Sequence, residues 1–263
     1  MEVNRHAQQE NLEILVNNKG FQFTEGFFPY TSGQIGPYYV QSAVIMGNGT
    51  DYYRACEMTQ YMIRIYSKKY EVISGGESRD WIFSFPVASR LHLPHAMIYK
   101  DGKILGANME DKNIAHVADL NNEGSSPRDL WVPAIKKAGG DIKHIFFYVD
   151  RMEDGVEVMK ELGLQSHAAI PLDTKAWDYL LKNNVINQTV YTNLQERAQS
   201  KEARHEWAVK MLRSDAGLET LAKLLNDEKN KPKGEKILNT GYPDLKQELI
   251  ERLTQKGYDV KIK

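Results

Sequence analysis

The sequence predicts an α/β fold: a mostly parallel, doubly wound sheet with flanking helices, followed by an α-helical C-terminal annex. Three observations carry that prediction. Between Glu71 and Pro171, short apolar runs alternate with helical patterns, the order that builds parallel sheets. From Asp173 onward the β signal vanishes and amphipathic stripes take over. Within Ile114–Ser126 an apolar strand gives way to a polar loop and then to a helix start, the arrangement with which open α/β sheets hold ligands.

Bulk properties narrow the function classes. A chain of 263 residues with 41% hydrophobic content supports one sizeable core plus an appendage, expected to divide as 1–172 and 173–263. A net charge of −1 argues against a strongly basic nucleic-acid binder. No apolar run reaches the length of a membrane span, and the polar start Met1–Arg5 is not a signal peptide, so a cytoplasmic protein is expected. The lone Cys56 shares a helical pattern with Ala55, Thr59, Met62, Ile63 and Tyr66, which reads as a buried reduced thiol. The seven histidines show no ligand spacing, so no protein metal site is expected, and His116 reads as a hydrogen-bonded structural residue.

In chain order, residues 5–18 form a helix with Leu12, Leu15 and Val16 on one face and Gly20 as its stop. Phe21–Gln41 is rich in aromatics and glycines, and its Pro29 and Pro37 forbid a long helix. It reads as a loop and hairpin whose rings pack a core. Asp51–Lys69 is helical, Glu71–Ser74 a strand, and Ile82–Leu91 a helix despite Pro86. His95–Lys100 is a strand, and Asp101–Lys112 a mobile loop or hairpin with Lys100 and Lys103 at its base. The strand Asn113–Ala118 leads into the polar loop Asp119–Gly124. A helix then starts on Ser125-Ser126-Pro127, with a serine N-cap, proline at the first turn and a kink at Pro133. Such a helix start presents unpaired N–H groups and partial positive charge to an anion. A strand Asp141–Asp150, a helix Glu153–Leu162 and a strand Ser166–Pro171 complete the alternation. Trp177, Trp207, Leu218 and Leu249 mark annex helices, and Asn226–Lys236 reads as a solvated linker.

The stretch Ile114–Ser126 resembles the phosphoribosyl pyrophosphate signature of the type I phosphoribosyltransferases. Further segments are similar to orotate phosphoribosyltransferases. These are Thr31-Ser32-Gly33-Gln34-Ile35-Gly36-Pro37-Tyr38-Tyr39, Ser74–Trp81 into Phe85–Ala88, Lys100-Asp101-Gly102-Lys103, and Val149-Asp150-Arg151. The likeness covers roughly residues 10–172 and leaves the annex outside. It implies transfer of 5-phosphoribosyl from phosphoribosyl pyrophosphate to orotate or a similar pyrimidine-like base, in pyrimidine nucleotide biosynthesis. It also implies Mg²⁺ carried on substrate oxygens and a homodimer.

By position, the resemblance implies that Asp119 faces the ribose hydroxyls and that Asn122, Gly124, Ser125 and Ser126 form the 5′-phosphate turn. Tyr38 and Tyr39 lie beside the base, and Arg151 grips it. Arg79 lies in the turn matched to the pyrophosphate-contacting one, and Lys100 and Lys103 are the mobile-loop cations that stabilise departing pyrophosphate. Lys103 and Asp119 are the expected catalytic pair.

The chain departs from the family pattern at Ala118, Asn121, Asn122 and Glu123 in the signature, and at Thr31, Tyr99 and Leu105 elsewhere. These departures remove cations and an acid, and they motivate the alternative of a non-catalytic nucleotide- or phosphoribosyl-sensing protein on the same fold.

Overall fold

The computed structural model describes residues 4–30, 32–66 and 69–258. Thr31 and Lys69's neighbours 67 and 68 lie outside the described residues, so the expected place of Thr31 is not among them. The chain forms two compact units. The first holds the described residues up to Gly20 together with Gln41–Val185; the second holds Phe21–Val40 and the chain from Ile186 onward.

The first unit is built on a six-stranded sheet in the order β5-β4-β3-β6-β7-β8. Its strands are β3 (Val72–Gly76), β4 (His95–Ile98), β5 (Ile104–Gly106), β6 (Asn113–Asn121), β7 (Asp141–Asp150) and β8 (Gln165–Pro171). Neighbours pair in parallel except the edge strand β5, which runs antiparallel to β4. Helices α1 (Arg5–Asn17), α2 (Gly49–Tyr66), α3 (Trp81–Leu91), α4 (Val132–Lys137), α5 (Gly155–Glu161) and α6 (Thr174–Lys182) flank it. The chain leaves β3 toward β4 on one side and returns as β6 on the other. The carboxyl ends of β3 and β6 therefore flank the switch in strand order where such sheets open a crevice.

Strand β6 is buried along almost its whole length, as a central parallel strand covered on both faces must be. One face packs Ile114, Ala118, Ile145 and Phe147 against Trp131, Val132 and Ile135 of the following helix and Val158 and Met159 of α5. Each such large side chain contributes about 1.5–3 kcal/mol of burial. On α2, Cys56 is buried and unbonded to another cysteine, and burial pushes its thiol up to about 12.

The two prolines inside helices have separate solutions. Pro86 cannot donate to the Ile82 carbonyl one turn back, and the Tyr52 hydroxyl donates to that carbonyl instead. Ahead of Pro133 the helix widens into a π turn over Pro127–Trp131, where the Val132 N–H reaches the Pro127 carbonyl.

The second unit pairs β1 (Phe21–Pro29) with β2 (Ile35–Val40) antiparallel, the expected hairpin. It adds helices α7 (Gln188–Ala198), α8 (Lys201–Arg213), α9 (Asp215–Asn226), α10 (Lys231–Lys236) and α11 (Lys246–Gln255). Phe27 and Ile35 of the hairpin bury in one core with Trp207, Leu212, Leu221, Leu238 and Leu249. The observed units therefore differ from the expected division at residue 172 in two ways. The hairpin supplies core residues to the annex, and α6 stays with the first unit, where it packs on α1. The expected linker 226–236 is also corrected, because it contains α10. Gly234 of that helix lies so close to Leu225 of α9 that a Cβ would stand 2.9 Å from its side chain.

Candidate active site

The strand-to-helix corner after β6 is where the sequence places it, with shifted edges. The strand runs on through Asp119 and Leu120 to Asn121, so the open loop is only Asn122–Gly124. Gly124 has φ +70°, and a Cβ there would meet Val158 at 2.7 Å, so both backbone shape and packing call for glycine. The Gly124 carbonyl accepts the Arg128 N–H at 3.1 Å, which opens the helix two residues earlier than expected. Ser125 and Ser126 are already helical and exposed, and Ser126 makes no side-chain cap. The expected serine N-cap is thereby corrected: the two serines are first-turn residues, and their amides have no partner within the helix.

Asp119, 8% exposed, sits at the end of β6. Its Oδ2 accepts the Ser42 hydroxyl at 3.0 Å, and the Arg79 Nε lies 3.9 Å from the same oxygen. Arg79 also reaches the Gln41 side chain at 3.5 Å. The Asp119 N–H donates to Asp80 Oδ1 at 2.9 Å, while Asp80 Oδ2 accepts the Gly76 N–H at 3.1 Å. Burial, and then the charge of Asp119, push the Asp80 carboxyl well above the usual carboxylate range.

Behind the corner, His116 bonds Ser74 through Nδ1 at 2.9 Å and packs on Trp131 at 4.5 Å between ring centres. Burial holds its imidazole down at about 3, so it is neutral and structural, as its place on an apolar strand suggests.

The corner is closed on its other side by the end of β7. Asn121 donates to Asp150 Oδ2 at 3.0 Å, and the Arg151 N–H donates to the Asn121 carbonyl at 3.1 Å. The Gly155 N–H bonds the Asn122 carbonyl at 3.0 Å. Arg151 itself is 4% exposed, so the structure sets it into the protein rather than on the surface.

Arg79, Asp119, Asn122, Gly124, Ser125, Ser126 and Arg151 thus lie on the turn after β3, the end of β6 and its loop, and the end of β7. Lys100 and Lys103 lie on a different feature. The segment read as a mobile loop or hairpin is a hairpin between β4 and β5, closed by Tyr99 N–H to Lys103 carbonyl at 2.8 Å and Gly102 N–H to Tyr99 carbonyl at 2.9 Å. Both lysines are exposed, and the Lys100 N–H is tied to the Glu77 carboxylate at 2.9 Å. Tyr38 and Tyr39 belong to the second unit, where Tyr38 is 1% exposed and packs on Phe21 and Phe23. Among the described residues, no group of three or more His, Cys, Asp or Glu side chains is placed to hold a metal ion.

Solved structures share this architecture. The chain superposes on UMP synthase of Leishmania donovani with a TM-score of 0.65 and 17% identity, over 72% of this chain. It spans only 41% of that protein's length. On orotate phosphoribosyltransferase of Francisella tularensis the TM-score is 0.59 with 18% identity, covering 72% of this chain and 96% of that one. The chain has the type I phosphoribosyltransferase fold. In sequence the chain is similar to orotate phosphoribosyltransferases. A curated orotate phosphoribosyltransferase of Staphylothermus marinus is 25% identical over 186 residues, 67% of this chain and 87% of the relative. No protein-family model matches the chain.

Sequence reasoning missed Asp80 and Ser42 as partners of Asp119. Asp80 was visible only as an acid within a polar turn, and nothing local announces a bond 39 residues away.

Proposed function

We propose that the chain transfers the 5-phosphoribosyl group of phosphoribosyl pyrophosphate to orotate or a closely similar base. The observation that carries this reading is the corner after β6. A carboxylate at the strand end and unpartnered first-turn amides stand together at the switch in strand order, in a fold shared with orotate phosphoribosyltransferases. The amides of Ser125 and Ser126, with Gly124 and the Asn122 side chain, receive the 5′-phosphate. Asp119 accepts hydrogen bonds from the ribose hydroxyls. In the reaction a ring nitrogen of the base, its proton released to solvent, bonds to the anomeric carbon as the bond from that carbon to pyrophosphate breaks and pyrophosphate leaves with the bonding pair. Positive charge builds on the ribose, and negative charge builds on the leaving group. The chain's part is to hold the sugar in line and to stabilise those charges. Arg79 and Lys103 supply positive charge toward the pyrophosphate.

Mg²⁺ fits this site only as a passenger on substrate oxygens, since the described residues offer no acidic cage. It would neutralise pyrophosphate charge, and the Asp119 carboxylate is the nearest protein group suited to the ribose side. A homodimer and a cytoplasmic location are part of the same proposal. Among the described residues, no helix is long and apolar enough to cross a membrane.

The test is direct. Purified protein with Mg²⁺, phosphoribosyl pyrophosphate and orotate is expected to deplete orotate absorbance and release pyrophosphate. A second reading, binding without turnover, is favoured by the placement of Lys100 and Lys103 in a tight exposed turn. Stabilisation against heat by phosphoribosyl pyrophosphate, with orotate absorbance unchanged at high protein concentration, would select that reading. Neither stabilisation nor turnover, with orotate or other bases, would sink both.

A further inference from the structure

Asp80 stands at the N-cap of α3, where an aspartate ordinarily turns its side chain back to the first helical amides. It makes no such bond. The amides of Phe83 and Ser84 are met by the Asp80 main-chain carbonyl, at 3.0 and 2.9 Å. The carboxyl group is directed out of the helix, one oxygen to the Gly76 amide and the other to the Asp119 amide. It joins the last residue of β3 to the site end of β6, beyond the register in which those strands pair directly, which stops at Ser74 and His116.

The surroundings are shaped for this bridge. Asp80 is 3% exposed. A Cβ on Gly76 would stand 2.6 Å from Asp80 Oδ2 and 2.2 Å from Trp131 Nε1, so only glycine lets the carboxyl reach the strand. Burying a second carboxyl beside Asp119 is electrostatically costly, and a helix cap was available that would have kept it apart. A purely structural link between two strands needs no acid, since ladder bonds would serve.

The geometry points to Asp80 as a positioning residue for the transfer reaction: it sets the backbone at Asp119, and through it the carboxylate that meets the ribose. This assignment rests on the transferase reading given above. It differs from a catalytic role, because Asp80 acts through Asp119 and the turn after β3 rather than on the substrate. Ser42 and Arg79 then hold the Asp119 side chain from the opposite direction, at 3.0 and 3.9 Å from its Oδ2. The result is a carboxylate fixed at both its main chain and its head group.

The experiment compares Asp80→Asn and Asp80→Ala with the unaltered chain, at matched folded fraction by thermal melting. Asparagine retains one carbonyl acceptor and alanine none, so the effects are expected to rise in that order. The KM for phosphoribosyl pyrophosphate is expected to rise about tenfold or more in Asp80→Ala, since small displacements at a reacting centre carry large effects. The KM for orotate is expected to stay within about twofold, because the base is not held by Asp119. Mere loss of folded enzyme would lower kcat and leave both KM values in place. Hydrogen exchange at the Gly76 and Asp119 amides gives a second readout that does not require turnover: one of the two is expected to exchange faster in Asp80→Asn and both in Asp80→Ala. Unchanged exchange, or faster exchange with both KM values unaltered, overturns the assignment. If the unaltered chain shows no turnover, the transferase reading fails. The bridge is then judged by exchange together with the affinity for ribose 5-phosphate, which the assignment requires to fall in Asp80→Ala and which overturns it if it does not.

Discussion

Two loops of the first unit carry the polar residues expected to meet substrate, and they are built on opposite plans. At the end of β6, Asp119 is held by Ser42, by Arg79 and, through its amide, by Asp80, with little of it exposed. At the β4–β5 turn, Lys100 and Lys103 are exposed, and only their backbone is fixed. The difference teaches how the chain divides its work. A group that must sit at one point is bound at several atoms, at the cost of burying charge. A group that only supplies charge is left on a long side chain in water, where it costs little and can follow a ligand. Altering the first should therefore damage function steeply, and altering the second mildly.

The largest expected effect is at Asp119. Asp119→Ala should lower turnover by about 100-fold or more, the scale seen when one preorganised electrostatic partner is removed. Its melting temperature should stay close to that of the parent, since the substitution relieves charge crowding at Asp80. Steady-state kinetics beside a thermal melt checks both. Next is Gly124→Ala. With φ at +70° and Val158 2.7 Å from the added Cβ, stability should fall by about 1–3 kcal/mol, read by denaturant unfolding, and phosphoribosyl pyrophosphate affinity should fall with it. Lys103→Ala should reduce turnover by about tenfold with no change in melting, the signature of an exposed charge. A larger effect at Lys103 than at Asp119 would break the comparison.

The smallest effect is a pH slope. The Asp80 carboxyl is raised in the folded chain, so folding favours its protonated form. That contribution is complete below the ordinary carboxylate value and is lost as pH rises through the raised one. As pH rises above the ordinary carboxylate value, the melting temperature of Asp80→Asn should therefore gain on that of the unaltered chain. Parallel melting curves across that range would remove Asp80 from the titration.

Much of the sheet was legible in the sequence because its signals are local. The apolar run Ile145–Val149 and the stop at Gly163 define a strand and a helix without reference to distant residues. The corner after β6 was legible for the same reason, although the strand extends three residues further than its apolar run. The pairings of Leu120 with Val149 and Asn121 with Asp150 continue the ladder into polar sequence. What was hidden depends on spatial partners. The Phe21–Val40 hairpin gives no local sign that Phe27 will bury beside Leu221, nearly two hundred residues on. The serine cap failed because Gly124 opens the helix before Ser126, a choice made by the fit against Val158. Of the two readings of Asp101–Lys112, a mobile loop or a hairpin, the structure has the hairpin, whose turn closes as the Asp101 side chain accepts the Lys103 N–H. Asp80 lies in a polar stretch whose sequence carries no sign of burial, yet it is 3% exposed.

The central claim is that a sugar phosphate docks on the amides that open the helix after β6. Its most direct test is titration of isotopically labelled protein with phosphoribosyl pyrophosphate while following backbone amide resonances. The account predicts saturable shifts led by Gly124, Ser125 and Ser126, with Asp119 moving alongside. Saturation elsewhere with those amides unmoved, or no shift at millimolar ligand, would contradict it.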